Sequence, residues 1–225
     1  MNVLRRLLER TTSAGRRRKE QREKWEVMWA REDFDAPWLG RGVSKEIEEA
    51  VAEGWFPAGG AVLDLGCGEG DVAAWLAAKG FPSVGVDIAP SAIARARARF
   101  PEAPGRLEFH ALDVSAERPP RRGFRILIDR GCFHQLADED VPGFVDVLLA
   151  SSAPDARLLL FLKAFRGRQP MGDAAERARR TRRVEEGLGS AFRIVRSAET
   201  YLDPHRGSVP DRALPGLVFW MERLP

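Results

Sequence analysis

The sequence predicts a doubly wound α/β fold, a mostly parallel sheet with helices on both faces. Two patterns carry that expectation. From residue 61 onward, short apolar runs alternate with segments of helical periodicity, as strand–helix–strand units of a parallel sheet do. Acidic or glycine-rich stretches follow successive apolar runs, and such residues belong at the carboxyl ends of strands in an open sheet. With 44% hydrophobic and 31% charged residues among 225, the chain can bury a core and stay in solution, which excludes wholesale disorder and fibrous classes.

The elements follow in order. Residues 1–24 hold nine Lys/Arg against three Glu, a local charge of +6 in a chain whose net charge is +3. Val3, Leu4, Leu7 and Leu8 have helical spacing there, so a solvated basic arm or helix is expected at 1–24, followed by a single domain over 25–225. Trp25, Trp29 and Trp38 fall within fourteen residues, either plugging an edge of the core or lidding a ligand. Residues 44–53 read as a helix capped by Ser44. Residues 61–66 form the first strand, 70–80 a helix stopped by Gly80, 83–88 the second strand, and 90–100 a second helix. Strands are expected at 107–114, 124–131 and 157–165, with a helix from an Asp138 cap to about residue 150 between the last two. A basic helix at 176–188 precedes two final strands, 192–202 and 214–224, which have no helix between them and can pair as an antiparallel hairpin at the sheet edge.

The strand ends carry the chemistry. The first ends in Asp64-Leu65-Gly66-Cys67-Gly68-Glu69-Gly70, the second in Asp87, the third in Asp113, and the fourth in Asp129-Arg130-Gly131-Cys132-Phe133-His134. Glycines let a ligand approach the backbone closely. An acid about 20 residues beyond such a turn can accept both hydroxyl protons of a ribose, the role expected of Asp87. A dinucleotide turn wants G-x-G-x-x-G, yet Asp71 stands where the third glycine belongs. An anion at that helix start opposes a pyrophosphate, so a phosphate-free nucleoside fits better, and S-adenosylmethionine is one.

At these residues, VLDLGCGEG followed by VGVDIAPSAI, the chain resembles the class I S-adenosylmethionine-dependent methyltransferases. The Trp25-x-x-x-Trp29 lead-in with Trp38, the GVDIAPSAI run and Asp129-Arg130-Gly131 make it similar to the thiopurine and small-molecule group of that family. The resemblance implies a Rossmann-like methyltransferase fold with seven strands, the last antiparallel. It places Gly66, Cys67 and Gly68 at the methionine end of S-adenosylmethionine and counts Asp64 and Asp129 among the cofactor-binding residues. It puts Asp87 on the ribose, Ile88 against adenine, and Asp113 with Leu112 or Val114 at the adenine edge. Arg130 would pair with the cofactor carboxylate, or else form a surface or inter-strand ion pair, and Trp25, Trp29 and Trp38 would help close the site.

His134 is the candidate base, with a packing role as its alternative; His110 reads as structural, and His205 could touch substrate. Cys67 and Cys132 are expected to be neighbours, as small buried residues. With His134 they lack the fourth ligand or C-x-x-C spacing of a metal site, and no metal is expected. No apolar run approaches the ~20 residues of a membrane helix. Two cysteines and no secretory segment point to the cytoplasm. The expected activity is methyl transfer to a small-molecule acceptor, a thiol, heterocycle or phenol. The alternatives are an RNA or protein methyltransferase using the basic arm and the Arg-rich helix, and a catalytically silent partner subunit; nucleic acid is not the expected partner.

Overall fold

A computed structural model describes residues 13–34, 42–163, 173–202 and 215–225. In chain order these form α1 (Ser13–Trp29), α2 (Lys45–Ala52), β1 (Val62–Leu65), α3 (Asp71–Ala78), β2 (Ser83–Asp87), α4 (Pro90–Arg99), β3 (Leu107–Ala111), β4 (Phe124–Arg130), α5 (Val141–Ser151), β5 (Ser152–Lys163), α6 (Ala174–Leu188), β6 (Phe192–Tyr201) and β7 (Pro215–Arg223). One sheet holds seven strands in the order β3-β2-β1-β4-β5-β7-β6. The first five are mutually parallel, and β7 runs antiparallel to both of its neighbours. The expected hairpin of the last two strands forms, with β6 as the edge. β7 lies inside, in register with β5 from Arg157↔Glu222 to Lys163↔Gly216.

The apolar runs become strands because both faces of the sheet are covered, so every side chain on a central strand needs an apolar partner. Leu158, Leu160 and Leu162 pack with Phe133, Phe144, Leu148 and Leu188 on the face of α5 and α6. Their alternates Leu159 and Phe161 pack with Ile47 and Leu76 on the face of α2 and α3. β7 repeats the split, with Leu217, Phe219 and Met221 on the first face and Val218 and Trp220 on the second. This period-two division is what an unbroken apolar run becomes inside a parallel-sheet sandwich.

Helix ends follow partly different local rules from those expected. Ser44 stands at the α2 cap position, but its buried hydroxyl makes no hydrogen bond. Asp138 does not cap α5; it opens a 3-10 turn, Asp138–Asp140, and its carboxylate pairs with Arg183 of α6 instead. α6 begins two residues ahead of expectation because Asp173 caps it, accepting the Ala175 amide at 3.0 Å and the Glu176 amide at 3.1 Å.

α1 runs unbroken through residues 24 and 25 and packs on α4. Glu26 accepts the Ser91 amide at 3.0 Å and the Ser91 hydroxyl, placing a carboxylate on the α4 N-terminus, where the helix dipole favours it. Basic residues of α1 face acids on the body. Arg22 meets Glu117 at 3.0 Å, and Arg18 lies 3.7 Å from Asp140 and 4.0 Å from Asp113. Strand order reverses between β1 and β4, so the crevice beyond their carboxyl ends is the switch point where open α/β sheets bind ligands.

Candidate functional site

A pocket occupies that crevice. Its wall includes Asp64 at the end of β1, Asp87 at the end of β2, Asp113 after β3, Arg130 at the end of β4, and Lys163 at the end of β5. Gln21, Trp25 and Trp29 of α1 complete it on one side.

The turn 66–70 explains what kind of ligand fits. Gly66, Gly68 and Gly70 all have positive φ, at 69°, 54° and 83°. Each also touches something a side chain would displace. A Cβ on Gly66 would stand 2.8 Å from Cys132, one on Gly68 3.1 Å from the Trp29 ring, and one on Gly70 2.6 Å from the Phe109 ring. Four of the turn's five amides are committed internally. Gly66 and Cys67 donate to the Val86 carbonyl at 2.8 and 2.9 Å, Gly70 to the Cys67 carbonyl at 2.9 Å, and Gly68 to the Asp87 carboxylate at 3.0 Å. Amides so used cannot cradle a pyrophosphate, and Asp71 opens α3 with a negative charge.

Three strand-end carboxylates converge on this wall. Asp87 is 7% exposed and joins Gly68 to Ala89, whose amide it accepts at 2.9 Å. Burial pushes its carboxyl up to about 6, against the pull of those amides. Asp113 accepts the Ser115 amide at 2.9 Å and the Ser115 hydroxyl at 2.7 Å. Asp64 is 2% exposed, and its Oδ2 is buried with no hydrogen-bond partner. Burial raises Asp64 to about 7, opposed by Arg130 and reinforced by the charges of Asp129 and Asp87. A buried carboxylate oxygen without a partner is able to accept from a cationic or donor group of a ligand.

The loop after β4 is organised by Asp129, which is fully buried. One oxygen accepts the amides of Gly131 at 2.9 Å and Cys132 at 2.7 Å; the other accepts that of Phe133 at 2.8 Å. Burial still raises it to about 7. Asp129 thus shapes the loop that presents Arg130 and His134, and it is not on the pocket wall. The imidazole of His134 accepts the Lys163 amide at Nδ1, 3.4 Å away. The neutral ring then carries its proton on Nε2. Burial first, then the charges of Arg180, Lys163 and Arg183, push His134 down to about 4, so it is neutral at neutral pH.

Of the other residues singled out in the sequence, Trp29, Gly66, Cys67, Gly68, Ile88 and Val114 lie on the wall. Leu112 is in the core beneath it, and Trp38 and His205 lie outside the described residues. Cys67 and Cys132 both reach the pocket; burial and neighbouring carboxylates hold both thiols well above their usual range, so they stay protonated. Among the described residues no cluster of His, Cys, Asp or Glu is arranged to hold a metal ion. Sequence reasoning missed Lys163, Gln21 and Leu202. Lys163 had a signal, since it ends the fifth strand as Asp87 ends the second. Gln21 had none, because only the docking of α1 brings it in.

Residues 62–155 match a methyltransferase domain family. The chain is 33% identical over 131 residues to the 2-heptyl-1-hydroxyquinolin-4(1H)-one methyltransferase of Mycobacteroides abscessus, a match covering 57% of each protein, so it spans little more than half that relative's length. It is 32% identical over 104 residues to an uncharacterized methyltransferase of Schizosaccharomyces pombe, covering 46% of this chain and 70% of that protein. A similar fold is found in the Burkholderia thailandensis 1,6-didemethyltoxoflavin-N1-methyltransferase, solved with its heterocyclic substrate and S-adenosylhomocysteine. The TM-score is 0.66 at 20% identity, over 91% of this chain and 88% of that one.

Proposed function

The chain belongs to the S-adenosylmethionine-dependent methyltransferases, and we propose that it methylates a small molecule bearing a thiol, phenolic or heterocyclic nucleophile. The observation that carries the cofactor half is the buried, partnerless Oδ2 of Asp64 beside a turn most of whose amides are already used. That wall suits a ligand with an ammonium group, a sugar and no phosphate. Asp64 takes the ammonium, Arg130 the carboxylate in the two-point geometry a guanidinium allows, and Asp87 the ribose hydroxyls. Ile88 and Val114 flank the adenine, and Asp113 accepts from its amino group.

The bound donor supplies an electrophilic methyl carbon on a sulfonium centre. The protein's part is to position the acceptor and exclude water. Trp29, 4% exposed and pressed on Gly68, covers the methionine end, and Leu136 and Leu202 give the acceptor end an apolar wall. The Mycobacteroides relative is named for a hydroxylated heterocycle, which is in keeping with such an acceptor. The basic segments favour a small acceptor over RNA, because Arg17, Arg18 and Arg22 of α1 and Arg179, Arg180 and Arg183 of α6 all face carboxylates of the protein itself.

Calorimetry with S-adenosylhomocysteine, followed by transfer of labelled methyl to thiols, phenols, heterocycles and bulk RNA, tests this. Saturable binding and label in a small acceptor are expected. Label in RNA alone, with binding that falls steeply as salt rises, would replace the small-molecule reading.

A further inference from the structure

The pocket changes character along the sheet. Over β1, β2 and β3 its wall is acidic; over β4 and β5 it ends in Arg130, His134 and Lys163. Resting on the cofactor reading above, which fills the acidic half, we propose that the other half binds the acceptor as a preformed anion. Lys163 is the counter-ion and His134 the hydrogen-bond donor through Nε2. The acceptor class is then acidic nucleophiles, aromatic thiolates and the oxyanions of acidic phenols or N-hydroxy heterocycles.

Three features of the site support this. Lys163 is half-buried on the wall and has no carboxylate partner among the described residues, unlike Arg180 and Arg183 of α6. Arg183 is held by Asp138 and by the Leu136 carbonyl at 2.9 Å, and Arg180 by Glu176 at 2.9 Å. With Arg130 assigned to the cofactor carboxylate, the Lys163 charge is the one at this end, among the described residues, left for the acceptor to neutralise. A half-buried ammonium gains most from a partner that enters with it.

His134 is turned the wrong way to be a base. Its Nδ1 accepts from the Lys163 amide, so Nε2 carries the proton and donates. The groups around it are Asp129 and Arg130 from β4, Cys132 from the following loop, Lys163 from β5, and Arg180 and Arg183 from α6. Asp129 spends its oxygens on three amides, and the Cys132 thiol stays protonated. Burial, helped by the cations, keeps the ring neutral. No described residue at this end is therefore placed to take a proton from the acceptor.

An acceptor that has lost its proton to solvent before binding needs no such residue. The bond from its sulfur or oxygen to the methyl carbon forms as the carbon–sulfonium bond breaks. The electron pair of the broken bond stays on the cofactor sulfur, and no proton is released in the step.

The test uses the full chain saturated with S-adenosylhomocysteine and 4-nitrothiophenolate as probe, read by tryptophan quenching. Methyl transfer to ring-substituted thiophenols spanning nucleophile acidities above and below the assay pH is followed in parallel. Lys163→Met is expected to weaken the probe at least tenfold, Lys163→Arg to restore most of it, and S-adenosylhomocysteine affinity to stay within twofold in both. The inflection of kcat/KM with pH is expected to move with each thiophenol's own pKa. Any of three results would overturn the inference: an inflection fixed while acceptor acidity varies, an unchanged probe affinity in Lys163→Met, or no saturable quenching in the wild type. Failure of the wild type to bind S-adenosylhomocysteine would instead remove the cofactor reading, and the inference with it.

Discussion

The Asp87 carboxylate holds the Gly68 amide at 3.0 Å, fastening the end of β2 to the glycine turn that follows β1. The same group, through its other oxygen, fixes the Ala89 amide at 2.9 Å where α4 begins. One side chain thus sets the spacing of the two backbone segments between which the cofactor's sugar is proposed to lie. Asp87→Ala should weaken S-adenosylhomocysteine at least tenfold, about 1.4 kcal/mol, by calorimetry. Asp87→Asn should lose less, because its amide oxygen can still accept from one of the two amides. Unchanged affinity in the alanine variant would refute the ribose assignment.

Gly70 has a different constraint, imposed from below. Its φ is 83°, and a Cβ there would meet the Phe109 ring at 2.6 Å with Ala96 at 3.1 Å behind it. Gly70→Ala combines left-handed backbone strain with overpacking, and should cost about 3 kcal/mol in denaturant unfolding. A Gly70→Ala, Phe109→Leu double variant should recover part of that loss. If it recovers none, backbone strain alone sets the glycine requirement.

Asp64 and Asp129 titrate near 7 and Asp87 near 6 in the folded protein, all above the 3.8 of an unperturbed aspartate. The folded state therefore holds more protons than the unfolded one over that interval, and its stability falls as pH rises through about 6 to 7. His134, lowered from 6.5 to about 4, has the opposite sign but acts only below its unfolded value, so the carboxylates decide the behaviour above pH 6.5. The melting temperature of the ligand-free protein should drop from pH 6 to pH 8. The upward shift given by S-adenosylhomocysteine should grow over the same range, since its ammonium meets an ionised Asp64. In a thermal-shift series at constant ionic strength, Asp64→Asn should flatten the ligand trend and make the ligand-free trend shallower, with Asp129 and Asp87 still contributing to it; a wild-type profile already flat would contradict the raised carboxylates.

What was legible in the sequence was what depends on local pattern. Asp64, Asp87 and Asp113 could be placed at strand ends because apolar runs stop at them, and the absent third glycine at Asp71 argued correctly against a pyrophosphate turn. What was not legible depends on contacts between distant segments. The run Leu217–Met221, apolar on both faces, suits a central strand, but which strands flank β7 depends on contacts with β5 and β6, far away in the sequence. Asp129 looked like a ligand residue, and only its three amide partners show it to be a loop organiser. Nor does the basic composition of residues 16–22 reveal that Asp113, Glu117 and Asp140 stand opposite them.

That last relationship makes α1 a cover held by charge as much as by packing. Glu26 sits on the N-terminus of α4 through Ser91, Arg22 meets Glu117, and between them Trp25 and Trp29 face the pocket. Removing the carboxylate in Glu26→Ala leaves a helix N-terminus uncapped and should cost about 1 kcal/mol. Because Trp29 bears on Gly68, the loss should reach the cofactor. S-adenosylhomocysteine affinity is expected to fall several-fold, and amide exchange over residues 13–29 to quicken, while β1 and β4 keep their protection. Raising salt from 50 to 500 mM should act in the same direction, more weakly, since the Arg22–Glu117 pair is partly exposed and screened. Faster exchange in α1 with no change in cofactor affinity would show that the helix packs beside the pocket without closing it.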